Sequence, residues 1–308
     1  HLLILLRAKD GVSEDQAPPE WGVDSVPQEH RTLGFFDYFV LWSSLGVGLL
    51  VLAAGSLLVP SQGLIQALVA IIVGTFIGSL LLSLVGTIGS DNAIPTMVAV
   101  RPSFHLRGSY LPTFLNIFQL IGWTIFEIII MAQSANIISQ TLLSFSNFYF
   151  WVVIFTIIVG VMGIGGPLVV IKHWLEKFAI WLVYGTSAWI LYYLFSRGDI
   201  WALIGKEGSG GLSFLSAVDI VIAMPISWMP LVADYNRFAK RRGSGFWGTL
   251  SGYSLANIWF YALGALLVLS TGTSDVVAAL AAIGFGLLAL CLILVDETDN
   301  AFADVYSA

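Results

Sequence analysis

The sequence has very little charge. Only 10% of its 308 residues are Asp, Glu, Lys or Arg, whereas a soluble domain carries about a quarter, so an ordinary soluble fold is excluded. Cysteine is nearly absent, because Cys291 is the only one, and a single thiol can form neither an internal disulfide nor a cysteine metal site. The four histidines fall in predicted tails and loops without the spacing of zinc ligands. A zinc enzyme is therefore not expected.

Long uncharged runs dominate the sequence instead. Phe39–Val59 and Leu64–Val85, for example, contain no charged residue, and each has about the 20 residues that a helix needs to cross a bilayer. Only helices and closed barrels satisfy the backbone in hydrocarbon, and these runs are too long for barrel strands. We therefore predict an all-α, polytopic membrane protein with eight spans, near residues 35–58, 63–86, 112–139, 148–166, 178–195, 213–232, 246–270 and 277–303.

The positive charges predict an orientation for these spans. Of the 13 Lys and Arg residues, 11 fall on one side of the predicted topology, and only Arg197 and Lys206 fall on the other. Cytoplasmic loops are enriched in Lys and Arg, so the N-terminus is predicted to be cytoplasmic in a multi-pass protein of the cell (plasma) membrane. We assign residues 1–31 to a cytoplasmic tail and residues 32–308 to the transmembrane domain.

Two of the predicted spans contain residues that break helices. Gly46 and Gly48 lie in the first span, and Pro225 and Pro230 lie in the sixth. In many secondary transporters, broken helices at corresponding positions of two inverted repeats form the binding site. The breaks are five spans apart, as in a five-plus-five inverted repeat with a first repeat near 35–195 and a second near 213–308. The alternative for the glycines is a simple helix-packing surface.

The third span carries an ionisable residue, Glu127, near its middle. Such residues are costly in a membrane and usually face a cavity or a pathway. Trp123 is one helical turn earlier on the same face, and Gln119 is a further turn back. A flat heterocycle could stack on the indole and donate a hydrogen bond to the carboxylate. The structural alternatives are lipid or core packing for Trp123, a hydrogen bond within the bundle for Glu127, and helix stabilisation by Gln119.

The eighth span ends in a group of carboxylates. Asp296, Asn300 and Asp304 share one helix face, with Glu297 and Asp299 beside them. Oxygen-rich surfaces of this kind can coordinate Na⁺ or exchange protons, particularly against the free carbonyls of an unwound neighbour. We therefore expect Na⁺ or H⁺ as a coupling ion and no other cofactor. The alternative is that this segment has already left the membrane and is solvated.

Four segments resemble one transporter family. They are the loop Arg101–Pro112, the pair Gly122–Trp123, the segment Ala233–Ala239 and the segment Thr298–Ala301. Together they resemble the nucleobase:cation symporter-1 family over about residues 27–308, and within it the hydroxymethylpyrimidine or cytosine permease subgroup. The resemblance implies a twelve-helix transporter with a five-plus-five inverted repeat that moves purines, pyrimidines, hydantoins or allantoin with Na⁺ or H⁺. Because the chain ends near the eighth span, we expect it to be truncated and not to transport alone.

The resemblance also implies roles for individual residues. Trp123 would stack on the substrate ring, and Glu127 would bind the ring edge where glutamine is common in the family. Trp228 would be the second stacking aromatic, beside Ser227, and Asn300 would add a substrate contact from the eighth helix.

The coupling site of the family lies between the first and eighth helices. It uses first-helix backbone, here at Gly46 and Val47, and small hydroxyl residues of the eighth helix, whose positions fall near Asp296 and Glu297. A sodium site at these two carboxylates is the resulting prediction, with Asp299 as a further coupling residue, and the choice between Na⁺ and H⁺ stays open.

The predicted function is cation-coupled import of a pyrimidine-like nucleobase or hydroxymethylpyrimidine by alternating access. The alternatives are a purine, allantoin or hydantoin permease of the same family and a non-transporting membrane receptor. The expected partners are this small molecule and the lipid bilayer, with no nucleic acid, and the oligomeric state stays open. We do not expect an enzyme.

Overall fold

The computed structural model describes residues 22–164, 167–197 and 200–307, which form helices and their connections without a β-strand. The α-helices of these residues are α1 (Phe35–Leu45), α2 (Leu49–Ser56), α3 (Leu64–Asn92), α4 (Thr96–Ala99), α5 (Arg101–Gly108), α6 (Tyr110–Leu143), α7 (Phe148–Ile164), α8 (Pro167–Arg197), α9 (Ile200–Ile204), α10 (Phe214–Ser227), α11 (Val232–Asn236), α12 (Arg242–Thr271), α13 (Val276–Ala282) and α14 (Gly286–Ser307). The prediction of an all-α protein is confirmed for this part of the chain.

The first predicted span is broken where the sequence places its glycines. Helix α1 ends at Leu45, α2 begins at Leu49, and the two are bent by 62°. Gly48 has φ 150°, a backbone conformation that side chains with a Cβ rarely adopt. The predicted interruption of this span is therefore confirmed.

Several of the helices could cross a bilayer. Among the described residues, α3, α6 and α12 are long and apolar enough to do so, and the bent pair α1 and α2 makes a fourth span. Shorter apolar helices cover Phe148–Met162 and Phe214–Ser227. Six of the eight predicted spans thus coincide with an apolar helix or helix pair.

The structure corrects two predicted boundaries. Helix α8 begins at Pro167, not near 178, because the charged residues Lys172 and Lys177 have good helix propensity and need not mark a loop. The eighth span, predicted as continuous over 277–303, is interrupted between α13 and α14, where Ile283 is extended and Phe285 has φ 57°. Gly284 lies between them and disfavours a helix there.

The sixth span also ends at its prolines. Helix α10 contains Pro225 and ends at Ser227, and a turn leads to the five-residue helix α11. A proline lacks the N–H that an uninterrupted helix needs. The prediction that this span is not one continuous helix is confirmed.

The broken pair α1 and α2 is surrounded by longer helices. Helix α12 packs against α1, α2 and α3, while α14 packs against α6, α7 and α8 and also contacts α1 and α2. Gly55 and Gly264 let the backbones of α2 and α12 meet, since a Cβ on Gly55 would collide with the backbone of Tyr261 and one on Gly264 with that of Leu52. The break in the first span is thereby held between α12 and α14.

Part of the predicted N-terminal tail packs against this body. Residues 1–21 lie outside the described residues, but from Gly22 onward the chain is ordered against the ends of α3 and α11. The amide of Val26 donates to the carbonyl of Ala93, and Leu33 forms a parallel β-bridge with Ala239. The segment before α1 is therefore a structural element and not only a solvated extension.

Candidate functional site

A pocket opens at the break between α1 and α2. Its lining comes from α1, α2, α6, α14 and the end of α10, and consists of Leu45, Leu50, Val51, Trp123, Glu127, Met224, Ser227, Trp228, Asn300 and Asp304. The lining includes five of the six residues predicted to bind substrate. The sixth, Gln119, is not among them.

Glu297 binds the free start of α2. Its Oε2 accepts a hydrogen bond from the backbone N–H of Leu49 at 2.6 Å, and its Oε1 accepts one from Leu50 at 3.3 Å. The first N–H groups of a helix have no partner within the helix, and the helix dipole favours negative charge at this end. The fully buried carboxylate therefore caps α2 from a different helix, α14.

Asn300 binds the other side of the break. Its Nδ2 donates to the carbonyl of Val47 at 3.0 Å, which fixes the orientation of the amide. Its Oδ1 is buried and has no hydrogen-bond partner. The N–H groups after the break and a carbonyl within it are thus satisfied by two side chains one turn apart on α14.

Glu127 and Glu297 form a carboxyl pair. Their carboxyl groups lie close to each other, and both are buried, with 5% and 0% of their surface exposed. Glu127 Oε2 is buried without a partner. The pair therefore joins α6 to α14 and leaves one acceptor unused beside the pocket.

Two tryptophans line the pocket. Trp228 packs edge to face on Trp42, with ring centroids 6.2 Å apart and planes at 89°, and Trp42 donates from Nε1 to Asn236 Oδ1 at 3.1 Å. Trp123 is tilted against Phe126 at 6.2 Å. The indole of Trp228 is thus supported by a buried, hydrogen-bonded aromatic ring, and both indoles offer apolar surface to a ligand.

Gln119 and Ser227 have structural contacts of their own. Gln119 donates from Nε2 to the backbone carbonyl of Ser227 at 2.8 Å, and the Ser227 hydroxyl donates to the carbonyl of Met224 at 2.6 Å. Gln119 therefore ties α6 to the end of α10, and its role in substrate binding stays a prediction.

The predicted coupling residues lie around the break. Gly46 caps the end of α1, Val47 is buried beside Asn300, and Asp296 is buried on α14 at 2% exposure. The side chain of Asp299 lies outside the described part of the chain. The described residues contain no group of three or more His, Cys, Asp or Glu side chains arranged for a metal ion, and sodium at Asp296 and Glu297 stays a prediction.

Asp304 also lines the pocket, although the sequence placed it only in the carboxylate group of the eighth span and not among the substrate-binding residues. It is buried at 4% exposure and lies one turn beyond Asn300. It lies on the same face of the predicted eighth span as Asn300, and this shared face was the sequence feature that could have indicated its place in the pocket. The sequence did not predict the apolar lining residues Leu45, Leu50, Val51 and Met224. An apolar residue within a long apolar run can equally well line a pocket or pack against another helix.

The chain matches a family model over residues 25–298. The family is described as permease for cytosine/purines, uracil, thiamine, allantoin. A protein of Bacillus subtilis (strain 168) named as a purine-cytosine permease, YxlA, is 27% identical over 261 residues, which are 80% of this chain and 54% of the relative. The hydantoin permease of Microbacterium maritypicum is 24% identical over 215 residues, covering 68% of this chain and 42% of the relative. The chain thus spans about half the length of these curated relatives.

The fold is similar to that of a solved transporter. The structure of Mhp1, a nucleobase-cation-symport-1 family transporter in a closed conformation with bromovinylhydantoin bound, matches with a TM-score of 0.81 at 20% identity, covering 94% of this chain and 68% of that chain. The inward-facing conformation of Mhp1 also matches with a TM-score of 0.81. These relatives are permeases and not enzymes. The chain belongs to the nucleobase:cation symporter-1 family of multi-pass membrane permeases.

Proposed function

We propose that the pocket binds a flat, donor-bearing ring of the pyrimidine-like nucleobase or hydroxymethylpyrimidine type, which the protein imports by alternating access together with a cation. The observation that carries this proposal is a pair of buried, unpartnered acceptors, Glu127 Oε2 and Asn300 Oδ1, on residues that line one pocket. An unpaired buried acceptor costs about 1–3 kcal/mol. A ligand with two donors would satisfy both.

The remaining lining supports a ring without negative charge. Besides Glu127 it contains Asp304, and none of the described residues that line the pocket is Lys, Arg or His. The indoles of Trp123 and Trp228 suit the faces of a planar ring, while the carboxyls suit N–H, amino or hydroxyl groups at its edge. An aminopyrimidine has both features. A phosphorylated or carboxylated ring would bring negative charge towards two acidic residues.

The relatives leave a second substrate class open. One is named a purine-cytosine permease, one a hydantoin permease, and Mhp1 was solved with bromovinylhydantoin. A purine, allantoin or hydantoin would fill the same kind of site. The carboxylate of Glu127 supports the pyrimidine proposal, because an aminopyrimidine presents adjacent donors to it.

Topology and coupling belong to the same proposal. The N-terminus would be cytoplasmic, the fold would follow a five-plus-five inverted repeat, and Na⁺ or H⁺ would couple at the contact of the first and eighth helices. Gly46, Val47, Asp296, Glu297 and Asp299 are the residues proposed to act there. The contact of Glu297 with Leu49 and Leu50 and of Asn300 with Val47 supports a link between ion binding and the broken helix.

A competition panel tests the substrate class. The purified protein would be assayed for binding of radiolabelled cytosine, with a hydroxymethyl-aminopyrimidine, uracil, hypoxanthine, allantoin and a hydantoin as competitors. We expect the aminopyrimidines to compete best. Competition by the purine or the hydantoin and not by pyrimidines would reject this class in favour of the alternative. Uptake into vesicles by the product of the complete open reading frame separates a transporter from a receptor, since a receptor binds without accumulating its ligand.

Trp123→Ala tests the stacking role. Aromatic stacking on a base contributes about 1–3 kcal/mol, so we expect affinity to fall by roughly 5- to 150-fold while the protein stays folded. Trp247→Ala is the matched control, because Trp247 is 58% exposed on α12 and does not line the pocket. Equal affinities of Trp123→Ala and the wild type would show that Trp123 only packs.

A further inference from the structure

Trp42 connects the two interrupted spans from the interior of the protein. It lies on α1, its side chain is fully buried, and it contacts the rings of Trp228, Tyr235 and Tyr253. The three ring centroids lie 6.0–6.2 Å from that of Trp42, and the planes are inclined by 63° to 89°. Aromatic pairs prefer edge-to-face arrangements of this kind. Trp42 on α1 thus packs against the end of α10, against α11 and against α12.

A hydrogen-bonded amide holds the indole of Trp42. Its Nε1 donates to Asn236 Oδ1 at 3.1 Å, and Asn236 Nδ2 donates to Thr249 Oγ1 at 3.1 Å. Asn236 is fully buried, and Gly86 leaves room for its amide, since a Cβ on Gly86 would collide with Asn236 Nδ2. Rotation of the indole would break the first bond and leave a buried acceptor unpaired. The orientation of Trp42 is therefore fixed.

Trp228 is placed differently, because it does not lie within a helix. It follows the last residue of α10, in the turn that leads to α11. Side chains on turns are held less precisely by their own backbone than those within helices. The plane of Trp228 is at 89° to that of Trp42, and Trp228 also lines the pocket. Packing against the fixed ring of Trp42 thus determines how Trp228 faces the pocket.

We propose that Trp42 is a positioning residue for ring binding, which holds the indole of Trp228 at the angle that presents its face to the substrate. The proposal rests on the proposed function, in which Trp228 stacks on the ring. It adds a residue that is not among the described residues lining the pocket. Groups that are already ordered before binding lose less entropy when the ligand arrives. Loosening Trp42 therefore weakens ring binding without removing any group that contacts the ring.

Two substitutions on α1 separate positioning from stability. Trp42→Phe keeps an aromatic ring and removes the hydrogen bond to Asn236. Tyr38→Phe is the matched control, because Tyr38 is also fully buried and its hydroxyl donates to the carbonyl of Tyr235 at 3.0 Å. Each variant loses one buried hydrogen bond between α1 and α11, so both should have a lower Tm. Only Trp42→Phe should raise the cytosine Kd of the folded protein, by roughly two- to tenfold, the range expected for one aromatic pair.

A double-mutant cycle tests whether Trp42 acts through Trp228. The cytosine Kd would be measured for Trp42→Phe, for Trp228→Ala and for the double variant. Two residues that act through one contact have non-additive effects. We therefore expect Trp42→Phe to raise the Kd when Trp228 is present and to leave it unchanged in the Trp228→Ala background. Equal fold-changes in both backgrounds would overturn the proposal.

Near-UV circular dichroism provides a readout that needs no substrate. The near-UV signal of an aromatic side chain depends on fixed tertiary packing. The difference spectrum of wild type minus Trp228→Phe reports on Trp228, and the same difference in the Trp42→Phe background reports on it without its anchored neighbour. We expect a smaller signal in the second difference and an undiminished one in the Tyr38→Phe background. An equal signal with and without Trp42 would overturn the proposal.

Failure of this proposal differs from failure of the proposed function. If Trp42→Phe lowers Tm but changes neither the Kd nor the signal of Trp228, Trp42 only packs, and the proposed function is unaffected. If the wild type binds another ring of the competition panel and not cytosine, the proposed substrate class is wrong. The cycle is then measured with the ring that binds, and the circular dichroism result stands in either case.

Discussion

Both the break before α2 and the contacts that cap α2 depend on the absence of a side chain at Gly48. It has φ 150°, and a Cβ placed on it would lie 2.7 Å from Glu297 Oε2 and 3.0 Å from Asn300 Nδ2. Gly48→Ala therefore acts on both α14 side chains that bind the broken helix. We predict that this one methyl group destabilises the protein and weakens ring binding.

The size of the effect follows from these distances. Ordinary contact begins at 3.4 Å, so Glu297 has to retreat by about 0.7 Å, which stretches its 2.6 Å bond from Leu49 to about 3.3 Å, past the usual limit. Weakening a bond to a charged group costs about 1.5–3 kcal/mol, and the backbone conformation costs an alanine about 1–3 kcal/mol. The Glu297 side chain and the backbone at residue 48 can each relax in part. We therefore expect the substitution to lower the free energy of unfolding by about 2–4 kcal/mol in total.

Thermal unfolding of the purified protein measures this cost, with cytosine affinity as the second readout. A loss of 2–4 kcal/mol corresponds to a fall in Tm of roughly 5–15 °C. Gly160→Ala is the control, because a Cβ at Gly160 on α7 would meet nothing within 4 Å and alanine favours helix. If Gly48→Ala matches the wild type in Tm and affinity, the contact between Glu297 and the start of α2 does not hold the break.

Three further predictions concern other side chains. Glu127→Gln should change the rank order of competitors away from aminopyrimidines in the binding panel, and an unchanged order would make the carboxylate structural. Trp42→Phe leaves Asn236 Oδ1 without its indole donor, so it should cost about 1–3 kcal/mol in thermal unfolding, and an unchanged Tm would contradict this. Asp234 lies on α11 beyond the sixth span, and its Oδ1 accepts the N–H of Thr96 at 2.8 Å. Burial raises the pKa of Asp234 to about 6, so the protonated form favours the fold, and its stabilisation is lost as pH rises through 6. Asp234→Asn should therefore raise Tm at pH 7.5 more than at pH 5, and equal shifts at both values would refute this sign.

The helices of the membrane core were predictable because length and composition are local properties. The glycines at 46 and 48 and the prolines at 225 and 230 also marked the two interruptions correctly, since each acts on its own backbone. The start of α8 was wrong because charge was taken as a sign of a loop, although Lys and Glu are good helix formers. The break between α13 and α14 was missed because one glycine in an apolar run is a weak signal.

The site was predictable only in part. Trp123, Glu127 and Asn300 stood out because polar or aromatic residues on one face of a membrane helix are unusual. The pairing of Glu127 with Glu297 was not predictable, because the two residues are 170 positions apart and their meeting depends on how α6 packs against α14. The hydrogen bond from Gln119 to Ser227 was equally unpredictable, because the acceptor is a backbone carbonyl that becomes available only where α10 ends.

The contacts of α14 give a physical reason why a broken helix can persist inside a membrane protein. In hydrocarbon, each unsatisfied backbone group costs several kcal/mol, so a break is tolerated only where other groups complete it. Here Glu297 accepts from Leu49 and Leu50, and Asn300 donates to Val47. The same two side chains extend to the ring pocket, Asn300 directly and Glu297 through Glu127. A change in charge or occupancy at the pocket therefore acts on the groups that hold α1 and α2 apart, without any need for a longer path through the protein.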